Sequence, residues 1–147
     1  RVFILNTCTA EEKGYTDFHN RLQTFILWFI ESGNLIDISD PKWRIFLIYE
    51  RYIDNRRRTC HSVVGCATVY QFFSYPSGIK PRISQVLILP PFQKLGLCSW
   101  LLKNIYAFYS MQPNTSEITG EEYVTFSVTI ALWLFLKYSI EAHDILL

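Results

Sequence analysis

The 147-residue chain is half hydrophobic and 16% aromatic, which is enough apolar side chain to bury a core and excludes a disordered segment. Fourteen Lys and Arg against 13 Asp and Glu leave a net charge of +1, so no global field draws it to nucleic acid, and a basic partner must meet a local acidic patch. Cys8, Cys60, Cys66 and Cys98 have no CxxC spacing and no nearby histidine pair, which argues against a zinc site and for reduced thiols.

Val2 to Leu5 read as a short strand, and the apolar run that ends at Leu5 is too short for a secretory signal before Asn6 and Thr7. Thr16 or Asp17 can cap a helix from Phe18 to Ser32, whose apolar Phe18, Leu22, Phe25, Ile26, Phe29 and Ile30 recur at helical spacing. Gly33 stands where a left-handed C-terminal residue is wanted. Leu27 and Trp28 fall off the stripe, so this helix is expected to be covered on two sides. Trp43 to Tyr52 and Ser62 to Phe73 are β-like around the polar turn Asp54 to Thr59, an antiparallel hairpin with Arg56, Arg57 and Arg58 as its solvated tip. Ser74 to Pro81, with two prolines and Gly78, is the next turn.

The stretch from Arg82 to Ser110 organises the rest. Ile83 to Leu89 are β-formers, Pro90-Pro91 break the run, Phe92 to Cys98 turn, and an apolar-periodic helix follows without Pro or Gly until Pro113. Ser116 to Gly120 read as a further strand. Tyr123 to Leu136 is almost uncharged; at about 14 residues it is short of the roughly 20 that span a bilayer, so a buried helix or strand is expected. This order predicts an α/β (α+β) fold with a mixed, mostly antiparallel sheet, in one domain across residues 1–147.

A strand, a tight loop and a helix make an anion site, because the first amides of a helix lack intrahelical partners and carry the positive end of its dipole. Gly96 would let backbone approach a ligand, and Gln93 and Lys94 add a polar donor and a cation at the mouth. A pyrophosphate would suit it.

Gln93-Lys94-Leu95-Gly96-Leu97-Cys98 resembles the Gln/Arg-x-x-Gly-x-Gly/Ala signature of the Gcn5-related N-acetyltransferases (GNAT), whose loop and helix hold the pyrophosphate of acetyl-CoA. Four further blocks, RLQTFILWFIES (Arg21 to Ser32), TVYQFFSYP (Thr68 to Pro76), PRISQVLILPPFQ (Pro81 to Gln93) and EITGEE (Glu117 to Glu122), resemble the type B histone acetyltransferases of that superfamily in order and spacing. The resemblance runs from Tyr15 to Glu122. It implies a central sheet flanked by helices and an enzyme that moves acetyl from acetyl-CoA, with no metal, to a lysine of a histone tail, that of histone H-four above all.

By the same resemblance, the loop Gln93 to Ser99 holds the cofactor through Gln93, Lys94, Leu95, Gly96, Leu97, Cys98 and Ser99. The backbone of Val86, Leu87 and Ile88 takes the pantetheine arm and acetyl carbonyl. Glu121 matches the proposed general base, Glu122 stands in for an Asp beside it, and Glu31 is a supporting carboxylate; paired carboxylates raise one another's pKa and attract a cation. Tyr70-Gln71-Phe72 matches a histone-contacting segment. A WD-repeat histone chaperone is the implied partner, with nuclear and cytoplasmic residence and neither nucleic acid nor membrane contacted.

Each residue also has a plainer reading. An acidic pair after a strand serves as a solvated turn, Glu31 as an exposed side chain, and Tyr70 to Phe72 as cross-strand packing. Cys98 occupies a Gly/Ala position and reads as a small packing residue rather than a nucleophile. His19, His61 and His143 are isolated and receive no ligand role. Cys98, a shortened segment after Glu122 and the divergent apolar tail Tyr123 to Leu147 depart from the family pattern, and the chain reads as a fragment of a longer protein. These departures leave open a non-catalytic relative that binds acyl-CoA or partner proteins, and an N-acetyltransferase for another amine.

Overall fold

The computed structural model describes residues 1–30 and 33–120. Five strands, β1 (Val2–Cys8), β2 (Trp43–Ile53), β3 (Thr59–Ser74), β4 (Gly78–Ile88) and β5 (Thr119–Gly120), form one sheet in the order β1-β2-β3-β4-β5. The first four are antiparallel neighbours, and β5 joins parallel to β4. Helix α1 (Tyr15–Phe29) follows β1, and a 3₁₀ turn (Pro90–Phe92) and helix α2 (Leu97–Ser110) follow β4. This is the expected mixed sheet between helices.

The hairpin between β2 and β3 forms around Asp54. Its carboxylate accepts the amides of Arg56 and Arg58 at 2.8 and 2.9 Å and the Arg58 guanidinium at 2.9 Å, which tolerates a positive φ of 59° at Arg57. The alternation of β2, β3 and β4 then sends apolar side chains to both faces, as a sheet covered on two sides requires. On one face Phe46, Ala67, Val69 and Ile83 meet Leu101, Leu102, Ile105 and Tyr109 of α2. Each such α2 side chain contributes about 2 kcal/mol by burial, well above any helix propensity difference. On the other face Leu22 and Ile26 of α1 pack on Cys66 and Leu87, and Tyr15 packs with Cys8, Ile38 and Ile45.

Several boundaries differ from expectation. β1 runs to Cys8 because it pairs with β2 as far as Ile45. α1 starts at Tyr15, three residues early: its N-cap is Gly14 at φ 77° with no side-chain cap, so Thr16 and Asp17 lie inside the first turn. Its buried stripe is Tyr15, His19, Leu22, Gln23 and Ile26, while Phe25 and Phe29 are exposed and Trp28 is 71% exposed. Among the described residues the helix is therefore covered on one side, and two polar residues take inward positions that hydrophobicity assigned to phenylalanines. Gly33 is not left-handed. An added Cβ there would stand 3.0 Å from the carbonyl oxygens of both Ile26 and Ile30, so the position requires close approach rather than an unusual φ.

β4 resumes at Gly78, which shortens the expected turn and places buried Pro81 within the strand opposite Gln71. Among the described residues the strand after α2 is Thr119–Gly120, which pairs with Arg82 and Ile83 of β4, and upstream of it Thr115 makes an isolated parallel bridge to Ile79. The segment Tyr123 to Leu147 lies outside the described residues. Among those described, no helix is long and apolar enough to cross a membrane.

Candidate active site

Strand β4 is the spine of the site. Along β3 it is paired from Gly78 to Ile88, whereas along β5 the described pairing consists of Arg82 with Thr119 and Ile83 with Gly120. Past that point Gln85 to Ile88 have a described partner strand on one side only. Val86 and Ile88 pack toward α2 and Leu87 toward α1, so the side chains of this segment belong to the two cores. Their backbone is what remains to meet a ligand.

Beyond Ile88 the chain is turned tightly. The Leu89 amide donates to the Val64 carbonyl at 2.9 Å, and Pro90–Phe92 make one 3₁₀ turn. The Gln93 side-chain amide donates to the Ile88 carbonyl at 2.9 Å, so Gln93 fastens the loop to the strand end rather than standing free at the mouth. Lys94 and Gly96 both take positive φ, 62° and 74°. Gly96 is the N-cap of α2, with its carbonyl accepting from the Trp100 amide at 3.0 Å, and no side chain caps the first turn. An added Cβ at Gly96 would meet no protein atom within 4 Å, so the requirement for glycine comes from φ, and the space before the uncapped amides is open. That arrangement fits a diphosphate, with exposed Lys94 and Leu95 at its rim.

Leu97, the first residue of α2, is buried in the core, and half-buried Cys98 packs against the same cluster. Burial raises the Cys98 thiol above its ordinary range, so it is not a thiolate nucleophile, and its bulk is directed to the core. Ser99 is half-buried in the same first turn.

The tripeptide Tyr70-Gln71-Phe72 is divided between faces. Tyr70 and Phe72 share the α1 face, ring centroids 4.7 Å apart, and Trp43 adds an edge contact to Tyr70 at 4.9 Å. The Tyr70 hydroxyl donates to Asp40 Oδ2 at 3.0 Å. Gln71 faces α2, where its amide donates to the Tyr109 hydroxyl at 3.1 Å. Only Tyr70 and Phe72 can therefore offer one surface, and Trp43 and Asp40 complete it. Glu31, Glu121 and Glu122, the three expected carboxylates, lie outside the described residues.

Sequence reasoning missed the polar pins behind this surface. The loop that follows α1 is held by two buried glutamines: Gln23 Oε1 accepts from the Ile36 amide at 2.7 Å, and Gln85 Nε2 donates to the Asn34 carbonyl at 2.6 Å. Thr68, also buried, donates its hydroxyl to Gln85 Oε1 at 3.4 Å. The available signal was a single glutamine inside each of the apolar runs RLQTFI and ISQVLI. His19 was likewise passed over. It is fully buried against the Tyr15 ring, 5.9 Å between centroids, with neither ring nitrogen hydrogen-bonded among the described residues, and burial lowers its pKa to about 4. The same burial pushes the Cys8 thiol up to about 11 and the Cys66 thiol to about 12.

No family model matches the chain. Over 110 residues it is 41% identical to the histone acetyltransferase type B catalytic subunit of Homo sapiens, covering 75% of this chain and 26% of that protein. A type B catalytic subunit of Dictyostelium discoideum is 42% identical over 93 residues, covering 63% of this chain and 19% of its own length. The chain thus spans about a quarter of the length of the human relative. Among solved structures, an aminoglycoside acetyltransferase from an uncultured soil metagenomic sample, in complex with sisomicin, superposes with a TM-score of 0.60 at 15% identity, over 88% of this chain and 84% of that one. That likeness concerns the fold, which is the GNAT acetyltransferase fold. Over 75% of its length the chain is thus similar to a type B histone acetyltransferase catalytic subunit.

Proposed function

We propose that the protein carrying this chain transfers acetyl from acetyl-CoA to a lysine of a histone tail, that of histone H-four, by direct attack of the amine in a ternary complex. The observation that carries the proposal is the uncapped start of α2 behind Gly96, set just past the carboxyl end of β4. In this reading the first amides of α2 and Lys94 hold the diphosphate, and Gln93 holds the loop that presents them. Backbone groups of Val86, Leu87 and Ile88 take the pantetheine arm and donate to the acetyl oxygen, stabilising the charge that develops there on attack.

The acceptor arrives as an ammonium with a pKa near 10.4 and must lose a proton before it attacks. Glu121 is assigned as the base, Glu122 as its neighbour and Glu31 as a supporting carboxylate. Tyr70 and Phe72 flank the lysine stem, where aromatic faces favour a cation. The direction of Cys98 toward the core removes the main reason to suspect a blocked cradle, so the catalytic reading is preferred to an interaction-only one. A WD-repeat histone chaperone as partner and residence in nucleus and cytoplasm belong to the same proposal; neither nucleic acid nor membrane does.

A radiolabel transfer assay on a histone H-four tail peptide tests it. The expected result is a rate lower by about 100-fold or more in Glu121→Gln with acetyl-CoA affinity unchanged, the usual scale for a lost general base. A full rate in that variant would remove Glu121 from the role, and a preference for small polyamines over the peptide would overturn the histone assignment.

A further inference from the structure

Strand β3 outruns the sheet. Its residues Thr59 to Val63 pair with Ile53 to Tyr49 of β2, but β4 has already ended, and the last contact on that side is the Leu89 amide on the Val64 carbonyl at 2.9 Å. Along the β4 side, five residues of backbone edge, roughly 17 Å at the usual strand rise, have no strand partner among the described residues. Such an edge is a template for another strand.

Two neighbouring features say what kind. On the α1 face, Val63 and Leu89 form the floor and Phe18, Arg21, Leu22 and Phe25 the wall of a mostly apolar trough of about 310 Å³; a second hollow of about 270 Å³, lined by Leu47 and Tyr49 of β2 and by His61 and Val63 of β3, adjoins it. At the far end stands the hairpin tip. Arg51, Arg56 and Arg57 are exposed with no ion pair among the described residues, and Asp54 neutralises Arg58 alone, at 2.9 Å.

We propose that this overhang docks an extended acidic segment of a partner protein, added as a strand to Thr59–Val63 with alternate apolar side chains in the trough and carboxylates against Arg56 and Arg57. The mode is strand addition: main-chain hydrogen bonds supply affinity, and the trough and the arginines supply specificity. A nucleic acid could use the arginines but has neither the alternating donors and acceptors nor the apolar side chains for the rest. A second copy of the chain would bring the same arginines to the contact. This surface does not depend on the acetyl-transfer reading.

The test measures fluorescence anisotropy of the full protein with a labelled peptide of alternating valine and threonine ending in three aspartates. The expected result is saturable binding, weakened tenfold or more in Arg56→Glu/Arg57→Glu and by added salt, and retained within about threefold in Arg56→Lys/Arg57→Lys, with circular dichroism confirming that both variants fold. Two further probes carry N-methyl groups on alternate amide sets. One of them loses binding and the other keeps it if a strand is being added. Equal binding of both probes, equal binding of a peptide ending in lysines, no binding at all, or tighter binding of single-stranded RNA than of the acidic peptide would each overturn the proposal.

Discussion

At the scale of single residues, His19 makes the sharpest physical statement. A neutral imidazole is held where neither nitrogen has a partner among the described residues, with a folded pKa of about 4 against an ordinary 6.5. Between those values the unfolded chain binds a proton that the folded chain refuses, so stability falls as pH drops from about 6.5 to about 4 and the contribution is then exhausted. The loss amounts to about 3 kcal/mol at most, and it is expected as a difference in urea-unfolding free energy between the protein and His19→Leu across that range. A parallel pH dependence in the two proteins would mean that His19 is not kept neutral by burial. Little of this was legible beforehand, because a histidine among apolar residues looks the same whether it faces inward or outward. Gly65 is a second case: an added Cβ would land on the Leu87 carbonyl oxygen and 2.8 Å from Ile88 Cδ1, a demand set by strand pairing. Cys98 was legible through the resemblance, since it stands at a Gly/Ala position where a small packing residue is implied, and it packs on the core cluster.

At the scale of elements, periodicity worked where one period dominated and failed where an end was defined by backbone. The β2–β3 hairpin and α2 follow their patterns closely, whereas α1 starts on a left-handed glycine that no side-chain capping rule anticipates. Among the described residues β5 begins at Thr119 rather than at the expected Ser116, because the contact of Thr115 with Ile79 is an isolated bridge and not a continuous ladder. The loop between α1 and β2 is an element in its own right, pinned by Gln23 and Gln85 and carrying Asp40, which orients the Tyr70 hydroxyl. Gln85→Leu keeps the volume but leaves the buried Thr68 hydroxyl without its acceptor and the Asn34 carbonyl without its donor, a loss of about 1 to 3 kcal/mol in unfolding free energy. If the proposed acetyl transfer is correct, the same variant raises KM for the histone peptide severalfold and leaves acetyl-CoA affinity unchanged, since the loop borders the acceptor side. Equal losses of affinity for both substrates would show that Gln85 supports the strand as a whole and not the loop in particular.

At the scale of the whole molecule, the two faces of the sheet are unequal, and that inequality decides how the protein should open. The α2 face buries one continuous cluster that includes five residues of the helix. The α1 face is divided into two smaller clusters, carries the unpartnered His19 and Tyr15 hydroxyl, and leaves Phe25, Leu27, Trp28 and Phe29 exposed. The family resemblance conveyed the layer order but not this difference, which depends on how far each helix turns its apolar side to the sheet. Regions with fewer buried apolar contacts open at lower free energy. Native-state hydrogen exchange is therefore expected to find α1 amides opening about 2 kcal/mol or more below those of α2 and central β3, with the gap widening as pH falls toward 5 and protonation of His19 favours the open form. Exchange of α1 and α2 amides at one common free energy would show a single cooperative unit, in which case the buried histidine would tax the whole fold and not one layer of it. A separate α1 transition would instead place the mobile layer on the acceptor side of the proposed reaction, against a rigid half made of β3, β4 and α2 that keeps the loop from Gln93 to Gly96 in place while the other side adjusts.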